Sequence, residues 1–254
     1  MLLKQNSSQK LLLPRTKQVQ NIERRFFMGR ALSFGALSML AGCNVAEDSK
    51  AQSVLDAMSR WNDGVQQAIF GATNQLATTY TEADITDPFP FNAFYGEEKA
   101  PEVAEEGYKL ELIGMIDKKD PWTLPALRAL PQQSQITRHI CVEGWSVIGK
   151  WAGVSFADFL HMVGADTKAK YVAFKCADDY YTSLDMASAL HPQTILALTF
   201  RDQVLPRKYG FPMKLRIPTK LGFKNPKHIM SIEVTNEYRG GYWEDQGYNW
   251  FSGA

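Results

Sequence analysis

Alternation of apolar and polar residues confined to short runs, without regular helices between them, is the feature that most restricts this fold. Residues 108–114, 136–142, 171–176 and 229–234 alternate as half-buried strands do. Between them lies only a short helical pattern at 155–163, with Ser155 placed as its N-cap. A doubly wound parallel sheet needs a crossover helix after almost every strand. The pattern therefore predicts an α+β fold. No fixed-period repeat or low-complexity run interrupts it.

Upstream, Val54, Leu55, Met58, Trp61, Val65, Ile69 and Phe70 recur at helical spacing and predict an amphipathic helix over 53–70. Its stripe is expected to dock on a core, as such stripes generally do. The turn-rich passage from Asp84 to Pro90 then marks the approach to a main domain at 85–254, with 43–84 as tether and helix.

The first 42 residues have a different character. Arg24-Arg25-Phe26-Phe27 leads into an apolar run that ends at Gly42, shorter than the roughly 20 residues that span a bilayer. The pair resembles a Tat export signal, and an ordinary secretory signal with an adjacent arginine pair is the other reading. Leu40-Ala41-Gly42-Cys43 resembles a lipobox, which would anchor the chain through Cys43; the alternative is a small-residue cleavage site with a cysteine beside it.

Charge excludes one partner class. The chain has 28 Lys plus Arg against 27 Asp plus Glu, and seven of the basic residues fall in 1–42 beside a single acid, Glu23. A mildly acidic remainder does not suit nucleic acid. Three cysteines without a C-x-x-C exclude disulfide scaffolds, zinc ribbons and haem attachment. Gly144 to Lys150 nearly spells a phosphate-binding loop, but Trp151 stands where a Mg²⁺-binding hydroxyl belongs. Ile148 likewise breaks a nucleophile elbow around Ser146. The four histidines show no paired ligand spacing, and only His139 lies near a candidate site.

That site is Thr137 to Ser146. Cys141 leaves a strand end beside Arg138, His139 and a glycine turn, where positive charge favours a thiolate able to bind a soft metal. An inert buried cysteine is the competing reading of the local sequence.

The segment resembles the molybdenum-binding strand of the sulfite oxidase superfamily, most closely the bacterial Tat-exported branch that includes the periplasmic methionine-sulfoxide reductase catalytic subunit. Separated blocks carry the likeness over 85–254: Phe91 to Tyr95, Asp120 to Leu124, Ala169 to Phe174, Gly210 to Pro218, Gly222 to Lys227 and Glu237 to Glu244. The resemblance implies the sulfite-oxidase-type α+β fold and a molybdenum-molybdopterin cofactor whose single protein thiolate is Cys141, with Glu143 near the metal. It implies that Asn92, Tyr95, Gly96, Cys176, Tyr209, Lys214, Lys224, Asn225, Pro226 and Lys227 line the cofactor. The basic residues of that set, with Arg216, offer donors for a pterin phosphate.

This sequence departs from the branch at four of these positions: Lys214 stands where arginine is common, Tyr209 replaces a smaller polar residue, Cys176 a hydroxyl residue and Gly96 an acid. The implied activity is oxygen-atom transfer with a small-molecule substrate, reducing a sulfoxide in the periplasm. Oxidation of a sulfite-type oxyanion, or ligand binding without turnover by a lipid-tethered protein, are the alternatives. With no haem or iron–sulfur cysteine set, electrons are expected to pass through a membrane haem subunit or a cytochrome.

Overall fold

A computed structural model of the chain describes residues 49–70 and 76–254. The expected signal segment and Cys43 lie outside the described residues. Two compact units divide the chain, 1–58 and 59–254, and the sheets, core and cleft all belong to the second.

Among the described residues, ten strands form two five-stranded sheets. The first has the order β2-β1-β10-β5-β6, built from β1 (Lys109–Gly114), β2 (Trp122–Thr123), β5 (Tyr171–Cys176), β6 (Tyr181–Asp185) and β10 (Ile229–Thr235). Only β1 and β10 run parallel; every other pairing is antiparallel. The second sheet orders β3 (Gln132–Ile140), β4 (Ser146–Ser155), β7 (Ile195–Phe200) and β8 (Gln203–Val204), with β9 (Lys214–Arg216) also paired to β7. This is the α+β architecture expected from the pattern.

Alternation places the core. In β1, Leu110 and Leu112 are buried between exposed neighbours, and they join Phe174, Ile232 and Val234 in the main apolar cluster. The unbroken apolar run of β7 has a different origin, because both of its faces are covered. Leu196 and Leu198 enter the main cluster, whereas Ile195 and Ala197 enter a second one with Phe89, Trp151, Phe200 and Tyr209. The helix Phe156–Met162, capped by the Ser155 hydroxyl that accepts from the Asp158 amide, buries Phe156, Phe159 and Leu160 against the main cluster.

Two expectations need correction. β3 ends at Ile140 instead of 142, because the Cys141 amide donates to Trp145 O and closes a hairpin loop, leaving Val142 exposed. In the part of the first helix, α1 (Ser49–Phe70), that belongs to the second unit, the stripe residues Trp61 and Ile69 are exposed instead of packed on a core. Asp63 is the residue of α1 that is buried, accepting from Asn249 Nδ2 and from the Trp250 amide at 3.0 Å.

Candidate active site

The β3–β4 hairpin holds Cys141 in place. Ile140 pairs with Ser146, and the five-residue loop between them is closed by Cys141 N to Trp145 O at 2.9 Å and Gly144 N to Cys141 O at 3.1 Å. Gly144 sits at φ +92°, a left-handed turn that a side chain would strain. Cys141 is only 6% exposed and lies in the wall of a cleft of about 190 Å³. The other walls come from Asn92 to Phe94, Asp178 and Tyr180 of the β5–β6 turn, the 222–227 segment, Trp243 and Tyr248.

Around the sulfur, Asn92 Nδ2 donates to Sγ at 3.1 Å. Glu143 Oε2 stands 3.6 Å from Sγ and accepts from Trp145 Nε1 at 2.8 Å. Burial, foremost, and the Glu143 carboxylate push the Cys141 thiol up, while Asn92 opposes them. A bare Cys141 is thus no activated nucleophile, whereas a bound metal ion would displace its proton outright.

At the cleft and beneath it, Lys214, Arg216 and Lys227 have no carboxylate bonded to them among the described residues, although Asp178 acts on Lys227 through space. Lys214 is 5% exposed, its Nζ lies 5.2 Å from the Trp151 ring centroid, and it makes no hydrogen bond or ion pair among the described residues. Arg216 is fully buried and bonds only neutral acceptors, among them Asn225 Oδ1 and Thr137 Oγ1 at 3.0 Å, with Nε unpartnered. Lys227 donates to the carbonyls of Asn92 and Lys208. Asn92 therefore connects this cation to the Cys141 sulfur.

Two buried ring nitrogens, His139 Nδ1 and His228 Nε2, are also unpartnered. Burial lowers every one of these groups: Lys214 well below its ordinary value, Arg216 to about 9, Lys227 to about 8 and His228 to about 4. His139 is driven well down by burial and then by Lys214, Arg216 and Lys227. Gly210, at φ +118°, lets Lys214 and Lys227 approach, since a Cβ there would lie 2.9 Å from Lys227 Cβ and 3.2 Å from Lys214 Cβ. Uncompensated buried charge is costly. A cluster of this kind beside a soft sulfur donor fits a ligand that carries both an anionic group and a metal.

The structure gathers part of the expected set. Asn92, Cys141, Glu143, Asn225, Pro226 and Lys227 line the cleft, and Lys214 joins the cation cluster below it. Tyr95 reaches the cleft indirectly, its hydroxyl donating to Asp178 Oδ2 at 2.7 Å.

The remaining four lie elsewhere. Lys224 is turned inward to Glu244 and to Ser183 O, so its ammonium is not offered to the cleft. Tyr209 packs in the second apolar cluster and donates to Phe89 O at 2.6 Å. Cys176 closes β5 inside the main cluster, and Gly96 is exposed ahead of a single turn, Glu97–Lys99. Sequence reasoning missed Phe94, Asp178, Tyr180, Trp243 and Tyr248 as wall residues. The acidic turn Ala177 to Asp179 between two strands was the only local signal for one of them.

Comparison with known proteins agrees with this geometry. The oxidoreductase molybdopterin binding domain family matches residues 97–243. A relative from Azospira oryzae, provisionally named protein-methionine-sulfoxide reductase subunit YedZ1, is 58% identical over 94% of this chain and 90% of its own length. The protein-methionine-sulfoxide reductase catalytic subunit MsrP of Campylobacter jejuni is 27% identical over 82% of this chain and 74% of its own. Among solved structures, the sulfane dehydrogenase SoxCD of Paracoccus pantotrophus shares the fold with a TM-score of 0.51 at 18% identity, covering 54% of this chain and 40% of that one.

Proposed function

Because the chain belongs to the oxidoreductase molybdopterin binding domain family, and is thereby a molybdopterin-dependent oxidoreductase, we propose that Cys141 is its metal ligand and that a sulfoxide is its substrate. The observation that carries the substrate reading is the sorting of charge by depth. Lys214 and Arg216 are buried away from the cleft lining, where they would hold the phosphate of a bound cofactor. The cleft itself presents the carboxylates Glu143 and Asp178 between the rings of Phe94, Tyr180, Phe223, Trp243 and Tyr248. Its one lining cation, Lys227, is already turned to backbone carbonyls. An oxyanion such as sulfite would meet like charge there, whereas a neutral sulfoxide with apolar substituents meets rings. The names of the relatives point the same way.

When bound, the cofactor supplies a two-electron centre for oxygen-atom transfer. The balance is one sulfoxide, two protons and two electrons giving one sulfide and one water. The protein's own groups provide the setting. Cys141 gives a single thiolate, Asn92 Nδ2 holds its sulfur, and Trp145 fixes Glu143 with one carboxylate oxygen toward that sulfur. Among the described residues the other Glu143 oxygen has no hydrogen-bond partner, and we assign it the exchange of a proton at the cleft.

Among the described residues no group of three or more His, Cys, Asp or Glu is placed to hold a metal ion. Electrons then arrive from a partner, a membrane haem subunit or cytochrome, consistent with relatives named as subunits. We further propose export by the Tat route to the periplasm, with Cys43 as a lipid anchor. Arg24→Lys with Arg25→Lys should hold the precursor in the cytoplasm, and Cys43→Ala should release membrane-associated protein; normal export or an already soluble wild type removes the respective proposal.

The substrate reading is tested with the purified holoenzyme in two assays: reduction of methionine sulfoxide by a reduced viologen dye, and oxidation of sulfite by ferricyanide. Sulfoxide turnover that exceeds sulfite turnover supports it, and the reverse order contradicts it.

A further inference from the structure

We propose that the outward face of α1, carried by Trp61 and Ile69, lies on the lipid surface of a membrane and fixes how the body is held there; the choice of lipid as occupant rests on the Cys43 anchor proposed above. Trp61 is 72% and Ile69 64% exposed, among the highest values for large apolar side chains of the described residues. With Val65 between them they stand four residues apart, in one row along the helix. Their spacing predicts burial, so an exposed row of this kind marks a face that something outside the body covers.

The helix meets the body with its polar side. Asp63 is buried and accepts from Asn249 Nδ2 and from the Trp250 amide. At about 100° per residue it projects roughly 200° around the helix from Trp61, so the two side chains leave from nearly opposite sides. Trp250 is itself fixed, its Nε1 donating to Ser183 Oγ at 2.8 Å. A surface helix normally turns its apolar stripe to the core and its polar residues outward. Here the order is reversed, and the reversal leaves Trp61 and Ile69 to meet another apolar phase.

Reach, charge and residue type single out lipid as that phase. From Cys43 to Ser49, where α1 begins, the chain spans roughly 20 Å at full extension, so a lipid on Cys43 keeps the start of the helix close to a bilayer. α1 carries Lys50 and Arg60 against Asp56 and Asp63, and Asp63 is turned to the body, so the helix brings no net acidity to an anionic headgroup layer. Tryptophan suits the boundary between hydrocarbon and headgroups. Among the described residues no helix is long and apolar enough to cross a membrane, and the contact is therefore that of a helix lying along the surface. A lipid on one residue fixes a point and leaves the body free to turn, whereas a helix on the surface removes that freedom. The segment that Asp63 grips adjoins Tyr248 of the cleft wall, so the same contact sets how the cleft is presented to the membrane.

The test uses holoenzyme that begins at residue 43 and carries Cys43→Ala, so that no lipid contributes, mixed with vesicles of phosphatidylethanolamine and phosphatidylglycerol. Co-sedimentation gives the fraction bound, hydrogen exchange over residues 59–70 locates the contact, and the denaturation midpoint monitors the fold. The protein should bind with the α1 amides protected, and Trp61→Ser with Ile69→Ser should weaken the partition by about tenfold or more at an unchanged midpoint. Trp61→Phe should keep most of the binding. No binding to the vesicles, or equal binding by the double serine variant, overturns the proposal. So does a solution dimer that the serine variant dissociates, or binding that requires the membrane haem subunit, since either gives the face to a protein. Because the chain tested has no lipid, a native protein that also lacks one removes the Cys43 reading alone, and the vesicle result still decides the helix.

Discussion

Two groups of buried cations come from one basic stretch, residues 214–227, and they have opposite character. Lys224 is fully buried against Glu244, which also accepts from Thr182 Oγ1, and Lys220 lies 3.5 Å from Asp185 while donating to Phe251 O at 2.8 Å. Lys214 and Arg216 have comparable burial and Lys227 is half-buried in the cleft wall, and no carboxylate is bonded to any of the three. The first group is completed by the protein itself and serves the fold. The second has no carboxylate bonded to it, which is why we propose that it serves the anionic part of the cofactor. Burial of a cation thus separates nothing by itself; the identity of its nearest acceptor does.

The comparison can be broken by exchanging the roles of the two groups. Glu244→Gln leaves Lys224 buried beside a neutral amide, and we expect the cofactor-free protein to lose about 3–5 kcal/mol of stability by denaturant unfolding. The fraction that still folds should keep its affinity for pterin. Lys214→Met should act with the opposite sign, stabilising the cofactor-free protein by about 1–3 kcal/mol through removal of an unpaired buried charge. Pterin recovered with that variant should fall sharply. Destabilisation by Lys214→Met, or normal pterin content, would place Lys214 with the structural group.

Titration sharpens the same contrast with a smaller effect. Lys220 is lowered to about 7 and Lys227 to about 8, chiefly by burial, so the folded protein gives up protons that the unfolded chain retains. Stability of the cofactor-free protein should therefore rise with pH, by roughly 2 kcal/mol between pH 7 and 8.5. Cys141 and Cys176, both raised in the folded state, oppose this rise at higher pH. Bound cofactor restores the charge on Lys227 and should remove its share of the slope, leaving that of Lys220. Equal slopes with and without cofactor, read from denaturation midpoints across this range, would contradict the assignment.

Local pattern revealed what is local. The strands β1, β5 and β10 and the Ser155 cap were legible because alternation and capping act over a few residues. β4 was not, since Trp151 and Val154 face different apolar clusters and the strand lacks clean alternation. The same limit applies to the site. Cys141, Glu143 and Asn92, named from the sequence, lie together in the cleft, but Lys224 and Lys214 look alike in sequence, and Glu244, 20 positions beyond Lys224, distinguishes their surroundings. The stripe of α1 misled for a related reason: periodicity shows that a helix has an apolar face, not that a core meets it. Phe94 and Tyr248, being ordinary aromatics on loops, carry no pattern that marks a cleft.

The central claim is that Cys141 supplies the thiolate of a molybdenum–pterin site whose anionic part is held by the unpaired cations. Cys141→Ser tests it most directly, because serine keeps the size while replacing a soft sulfur by a hard hydroxyl. Molybdenum, pterin and sulfoxide turnover should be measured on the same wild-type and variant preparations. We predict wild type with molybdenum and pterin in equal amounts, and a variant that keeps much of its pterin through Lys214, Arg216 and Lys227 yet loses turnover by orders of magnitude. Turnover near that of wild type in a Cys141→Ser protein with normal pterin content would remove this cysteine from the site and contradict the account.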